Sequence, residues 1–222
     1  MNIVINKEIT DVLPNFQILA FKFECCVKES DELIIEKIKE YEEKYANVSL
    51  EEVLKLDRIK EARDSYKKLG KDPSRYRLAC ESLLRRLSKK MGLYYINNMV
   101  DIGNILSIEL NRSTAVLDYD KIIGDVEIRL GRESDEYYGI GRGLINVSNI
   151  PVYVDSVSPF GSTTSDTLRT SITEDCKNIL LFVICFDNTY IEESKEITKQ
   201  MFKDLGRVTS LEEIEVKYSR WK

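Results

Sequence analysis

Apolar positions along this chain change spacing several times, and each change marks an element. Asn2 to Ile5 and Phe16 to Val27 read as short strands, the second carrying Ile18, Ala20, Phe21 and Phe23. Ser30 and Asp31 can cap a helix over Glu32 to Tyr45, where Leu33, Ile34, Ile38, Tyr41 and Tyr45 share a face. Ser49 with Glu52 has the capping-box spacing, which predicts a second helix running to Leu69, with Gly70 as its stop. A break at Lys71-Asp72-Pro73-Ser74 precedes a third helix, whose inward face carries Cys80, Leu83, Leu84, Leu87 and Met91 and which Gly92 ends. A fourth is expected from about Asn98 to Glu109.

From Ala115 the pattern turns to strands: Ala115 to Leu117, Val126 to Leu130, Tyr137 to Ile140, Val152 to Val154, and the apolar run Ile179 to Phe186. An uninterrupted apolar run of that length suits a central strand covered on both faces. A helix over Ile191 to Leu205 and a short amphipathic tail ending in Trp221 close the chain. The class is α+β. We divide it into a strand–helix region, 1–70, packed on a core, 71–222, with no internal repeat or flexible linker.

Composition narrows the chemistry. At 43% hydrophobic and 32% charged residues over 222 positions the chain can bury a sizeable core. No apolar run approaches the roughly 20 residues that cross a bilayer, and the start lacks the order of a signal peptide, so no membrane role and a cytoplasmic address are expected. Cys25, Cys26, Cys80, Cys176 and Cys185 show no paired or metal-ligand spacing and read as small core residues. There is no histidine, which removes the commonest general base, the commonest metal ligand and imidazole triads. No cofactor and no metal are expected. A net charge of −5 means that any polyanion must be held by a local patch, and no DNA partner is expected.

Arg75, Arg77, Arg85, Arg86, Lys89 and Lys90 form the densest basic cluster, with the last four in two i, i+4 pairs on the outward side of the third helix. They could hold phosphates, or simply form a solvated face favoured near a helix C-terminus. Gly139-Ile140-Gly141-Arg142-Gly143 superficially resembles a nucleotide loop, but no phosphate-loop lysine or dinucleotide fingerprint accompanies it, and it reads as a turn cluster. Asn98, Asp101 and Asn104 begin the fourth helix, where such residues are ordinary caps, although Asp101 and Asn104 lie on one face and could reach a pocket together. Gly161 to Asp166 could present amides and hydroxyls to a carboxyl or ester group, or be a plain loop with an Asx turn. Arg169 suits either a structural ion pair or a ligand contact.

Three segments, in order, carry a resemblance. The first is Asp72-Pro73-Ser74-Arg75 with Tyr76-Arg77 and Glu81-Ser82-Leu83-Leu84-Arg85-Arg86. The second runs from Gly92 through Tyr94-Tyr95-Ile96-Asn97-Asn98 and Val100-Asp101-Ile102-Gly103-Asn104 to Asp118 and Lys121. The third is Gly161-Ser162-Thr163-Thr164-Ser165-Asp166-Thr167-Leu168-Arg169-Thr170. Together they resemble the aminoacyl-editing module of the phenylalanyl-tRNA synthetase β subunit and its free-standing relatives. The resemblance implies a mixed or antiparallel sheet flanked by helices. It implies tRNA or aminoacyl-tRNA as partner and hydrolysis of a mischarged ester in trans; a non-catalytic binder of an amino acid or RNA end is the alternative. It assigns Asp166 to catalysis, and Asn98, Asp101, Asn104, Gly161, Ser162, Ser165 and Arg169 to the substrate. Arg75, Arg77, Arg85 and Arg86 are assigned to RNA. The chain departs from the module at Ala115, where the module has a histidine, and at Asp166, which is shorter than the acidic residue it matches.

Overall fold

The computed structural model describes residues 1–219; the tail end at Trp221 lies outside the described residues. The chain opens with β1 (Ile3–Ile5), α1 (Lys7–Thr10) and β2 (Gln17–Glu24). Four helical segments follow before the fourth expected helix: α2 (Glu32–Tyr45), α3 (Leu50–Lys55), α4 (Asp57–Lys68) and α5 (Ala79–Ser88). That expected helix is α6 (Asn98–Leu110), leading into β3 (Thr114–Asp118) and β4 (Val126–Leu130). A small hairpin of β5 (Tyr138–Gly139) and β6 (Gly143–Leu144) precedes β7 (Pro151–Val154), β8 (Pro159–Ser162) and β9 (Asn178–Cys185). Helix α7 (Ile191–Gly206) and two short strands, β10 (Glu212–Ile214) and β11 (Val216–Tyr218), complete it.

The expected capping box is present: Glu52 N donates to Ser49 Oγ at 3.2 Å, and Ser49 N donates to the Glu52 carboxylate at 2.8 Å. The long second helix is not continuous. Leu56 takes an extended conformation (ψ 126°) and separates α3 from α4. Val53 before the break and Ile59 after it face one core, and further along α4 Ala62, Tyr66 and then Leu69 face another. No glycine or proline marks the break, so the helical spacing alone reads through.

Two sheets make the framework. One is antiparallel, in the order β10-β2-β9-β3; the other is mixed, in the order β11-β1-β4-β7-β8, with β1 parallel to both β11 and β4. Alternation along β9 explains their stacking. Ile179, Leu181, Val183 and Cys185 join the helix-side core with Ile102, Ile105 and Phe202, whereas Leu180, Phe182 and Ile184 join Ile5, Ile128, Val152 and Phe160 of the other sheet. The antiparallel sheet is thus the middle layer, apolar on both faces, as the uninterrupted run in β9 requires. The N-terminal residues are not an added layer: β1 and β2 are interior strands, one in each sheet, and β10 and β11 from the C-terminal segment pair with them. Of the cysteines, Cys80, Cys176 and Cys185 are core residues. Cys25 is half-buried, while Cys26 is exposed because β2 ends at Glu24.

Helix α6 lies very close to β3. A Cβ on Gly103 would come within 2.3 Å of Val116 Cγ2, and Thr114 Oγ1 donates to the Gly103 carbonyl at 2.9 Å. Glycine is required here by space. Replacing it with alanine ordinarily helps a helix, but here the methyl overpacks a sealed interface, at a cost of about 1–3 kcal/mol. Gly103→Ala should therefore lower the melting temperature, and Gly103→Ala with Val116→Ala should be more stable than the sum of the two single changes, as read by a thermal double-mutant cycle.

Candidate functional site

Helix α5 supplies one wall of a cleft, and its entry is built by tertiary partners. Leu78 offers no side-chain cap, so the first amides find others: Ala79 N donates to the Thr163 carbonyl at 3.1 Å and Cys80 N to Ser113 Oγ at 3.1 Å. One turn on, Glu81 is fully buried, and its carboxylate accepts from Arg63 Nη1 at 2.8 and 2.9 Å and from Arg85 Nε at 2.8 Å. A buried carboxylate needs such company. The result for Arg85 is a guanidinium fixed through Nε, with its outer nitrogens directed elsewhere. Arg86 is held as firmly: its Nε donates to the Gly92 carbonyl at 3.1 Å, Nη1 donates to the Tyr94 hydroxyl at 2.8 Å, and its Cζ lies 3.8 Å from the Tyr94 ring centroid. Arg77 and Lys89 are exposed, and their side chains have no hydrogen-bond or ion-pair partner among the described residues.

The facing wall is the loop after β8. Ser162 Oγ accepts from Ser165 N at 3.1 Å and Thr164 N at 3.3 Å and donates to the Ser165 carbonyl at 2.8 Å, so this hydroxyl folds the loop. The Tyr66 hydroxyl meets those of Thr163 and Thr164, and the Tyr137 hydroxyl donates to the Ser165 carbonyl. From the glycine-rich hairpin, Ile140 N donates to the Asp166 carbonyl at 2.9 Å and Arg142 reaches Ser82 Oγ at 3.4 Å, roofing the cleft between the walls.

Asp166 sits at the inner end of that loop. It is half-buried as a residue, but its Oδ1 is sealed from solvent and has no hydrogen-bond partner among the described residues. Removal from water pushes its carboxyl up to about 7, with the Ser162 amide offsetting part of the effect. Gly161 makes this burial sterically possible, since a Cβ there would stand 2.9 Å from Asp166 Oδ1 and 2.5 Å from Tyr153 Cδ2. The Tyr153 hydroxyl is likewise buried and unpartnered among the described residues.

The cleft has a volume of about 730 Å³ and is lined by Arg77, Arg85, Arg86 and Lys89 from α5 and its flanks, by Asn104 from α6, by Arg142 from the roof, and by Ser165 and Asp166 from the facing loop. That is the size range of small-molecule sites. Of the residues singled out in the sequence, Asn104, Ser165, Asp166, Arg77, Arg85 and Arg86 meet here. Others stand apart, with their polar groups committed to the fold. Asn98 Oδ1 accepts from Lys28 N at 3.0 Å and Asn98 Nδ2 donates to the Cys26 carbonyl at 2.9 Å. Asp101 is buried, accepting from Ser30 Oγ at 2.6 Å and Ile96 N at 3.0 Å, and burial raises its carboxyl. Arg169 forks onto Asp155 at 2.8 and 3.1 Å, the structural ion pair of the two readings. Gly161 and Ser162 lie behind the wall as part of β8 rather than in the loop, and exposed Arg75 lies against Tyr76 outside the cleft. Sequence reasoning missed Glu81, Tyr94, Arg142 and Tyr153. Arg142 carried a signal in its place at the tip of a glycine-rich turn, and Glu81 and Tyr94 lie in segments that carry the resemblance without a role being assigned to them; Tyr153 carried none.

Known proteins share parts of this chain's sequence and its fold. A family profile described as the B3/4 domain matches residues 61–204. A phenylalanine–tRNA ligase β subunit from Bartonella quintana is 38% identical over 64 residues, which is 29% of this chain and 8% of that subunit. The β subunit from Bartonella henselae is 39% identical over 57 residues, 26% of this chain and 7% of that protein. The matched stretches are therefore small parts of those relatives. In structure, an N-terminal fragment of the phenylalanyl-tRNA synthetase β subunit from Pyrococcus horikoshii superposes with a TM-score of 0.52 and 11% identity, covering 98% of this chain and 52% of that one. This last likeness is one of fold.

Burial of Asp166 couples its titration to stability. Its folded pKa of about 7 lies above its unfolded value, so the folded state binds the extra proton between roughly pH 4 and 7 and loses stability as pH rises through that window. Asp166→Asn should raise the stability at pH 8 by about 1 kcal/mol or more, roughly 2–4 °C in Tm, and the gain should vanish at pH 4. Gly161→Ala should lower Tm at every pH, because its methyl meets the rigid Tyr153 ring.

Proposed function

Because the chain belongs to the B3/4 domain family, we propose that its cleft receives the aminoacylated 3′ end of a tRNA and that Asp166 serves hydrolysis of the ester joining amino acid to ribose. The observation that carries this reading is a cleft lined by five cations facing one desolvated carboxyl, in a chain whose net charge is −5. Cations collected in one cleft answer the phosphates of a polyanion. In the ionised state Asp166 accepts a proton from water as the water oxygen bonds to the ester carbonyl carbon. The carbon–oxygen bond to the ribose then breaks, and the released ribose oxygen takes the proton back. Arg142 offsets negative charge developing on the carbonyl oxygen, while Ser165 and Asn104 offer hydrogen bonds to the amino acid or the ribose. An aminoacyl ester is already reactive, so holding water and carbonyl in line supplies much of the rate. A pocket separates small side chains poorly, which is why a second, hydrolytic site is useful.

A second reading rests on the absence of histidine from the chain: the same cleft binds an amino acid or RNA end without cleaving it. Deacylation of tyrosyl-tRNA(Phe), with correctly charged tRNAs as controls, separates the two. Under the leading reading, wild type releases tyrosine at a rate that climbs with pH through about 7, and Asp166→Asn lowers that rate about 10²- to 10⁴-fold while retaining salt-sensitive tRNA binding. Equal, uncatalysed release by both proteins, with binding intact, would leave the binding module as the function.

A further inference from the structure

The cleft mouth carries a feature that phosphate recognition does not use. Tyr94 lines the cleft and is 55% exposed, an unusual position for a large ring. It is not loose. The Arg86 guanidinium covers one face at 3.8 Å and donates to its hydroxyl at 2.8 Å, and Arg86 is itself anchored on the Gly92 carbonyl. No aromatic ring of the described residues packs on the other face. Met91 and Ile96, 58% and 59% exposed, border the same part of the cleft. Tyr94 is thus a flat, rigid, apolar surface, fixed before any ligand arrives, in the same cleft as Arg77 and Lys89, whose side chains have no hydrogen-bond or ion-pair partner among the described residues.

Resting on the function proposed above, we infer that Tyr94, clamped from behind by Arg86, is a stacking shelf for an unpaired nucleobase at or next to the 3′ terminus of a single-stranded RNA, with Arg77 and Lys89 holding the adjoining phosphates. Every base has a π-face, so such a shelf reads single-strandedness rather than sequence. Its pre-formed geometry spares the entropy of ordering a mobile ring. Charge complementarity selects the occupant. An apolar peptide would gain nothing from the cations, and an acidic peptide would gain nothing from a bare ring face at this place. Tyr95, next in sequence and also 55% exposed, does not line the cleft and provides an internal control.

The test is fluorescence anisotropy with a short single-stranded RNA ending in adenosine, the same RNA with its terminal bases replaced by abasic ribose, and a blunt duplex of equal length. Tyr94→Ala should weaken binding of the intact strand by about 5- to 150-fold, the range for removal of one stacked base, with no change in salt slope. Tyr94→Phe should retain most of the affinity, Tyr95→Ala all of it, and the abasic strand should bind wild type and Tyr94→Ala alike. Arg77→Ala or Lys89→Ala should instead flatten the salt dependence, by roughly 0.7 for each phosphate no longer held. Melting temperatures of all variants identify any that are merely unfolded. If wild type binds the strand in a salt-sensitive way but Tyr94→Ala has no effect, or weakens the abasic strand equally, the shelf is refuted and the proposed function stands. If wild type shows no salt-sensitive binding to any RNA, both fall together.

Discussion

A strand buried on both faces has no solvent side to yield, and β9 is such a strand, with seven of its eight residues buried. Everything laid against it must bring its own apolar surface: the helices on one face, the mixed sheet on the other. This three-layer arrangement fixes where a site can form. The middle sheet is closed to ligands, and so is the inter-sheet core filled by Tyr153, Phe160 and Phe182. An opening is left where the helix layer ends at α5 and the start of α6 and the mixed sheet ends at β8. The cleft is that opening, and its two walls belong to different layers.

Electrostatics then separate what the layers deliver. The helix wall brings Arg77, Arg86 and Lys89 without a carboxylate partner among the described residues, and Arg85, whose partner Glu81 is sealed beneath it and shared with Arg63, so the charge that this wall brings to the cleft is positive. The sheet wall brings one carboxyl, deprived of water and of a hydrogen bond at Oδ1. A buried acid without a salt partner destabilises the fold at neutral pH. Asp155 and Asp187 show the contrast: burial pushes them up too, but hydrogen bonds from backbone amides and an arginine outweigh it and hold both below the usual carboxylate range. Groups held at such a cost concentrate at working sites, because a pKa near neutrality suits proton transfer.

How much of this was readable beforehand depends on the range of the interactions involved. Local ones were legible: the capping box at Ser49, the cap at Asp31, and the uninterrupted run in β9 all follow from neighbours in sequence. The class and the order of the main strands followed from periodicity. What periodicity could not supply was the break at Leu56, which no glycine or proline marks, or the pairing of the two C-terminal strands with β2 and β1, since short strands of mixed polarity look like an amphipathic tail. At the site, residue type and position suggested Asn104, Ser165 and Asp166 together with Asn98, Asp101 and Arg169, and nothing local distinguishes the two groups. Their difference is tertiary. Asp101 meets Ser30 and Arg169 meets Asp155 only after folding, and those bonds consume the groups that a ligand would need.

The two walls are also joined, which bears on how the cleft works. Ala79, the first residue of α5, donates its amide to Thr163 in the opposite wall, and Tyr66 of α4 reaches the Thr163 and Thr164 hydroxyls from below. At the foot of the hairpin, Lys71 donates to the Asn146 and Ser148 carbonyls at 2.8 and 2.7 Å, tying the roof to the end of α4. Opening the cleft by hinging one wall away would exchange these bonds for bonds to water, at a net cost of about 0.5–1.5 kcal/mol for each. The Ala79 and Tyr66 bonds tie the loop that carries Asp166 to the start of α5 and to α4 before any ligand arrives. The rim that a ligand meets carries exposed apolar side chains at Met91, Tyr94 and Ile96 on one part and at Ile140 of the hairpin on another, so apolar surface as well as charge borders the way to the carboxyl.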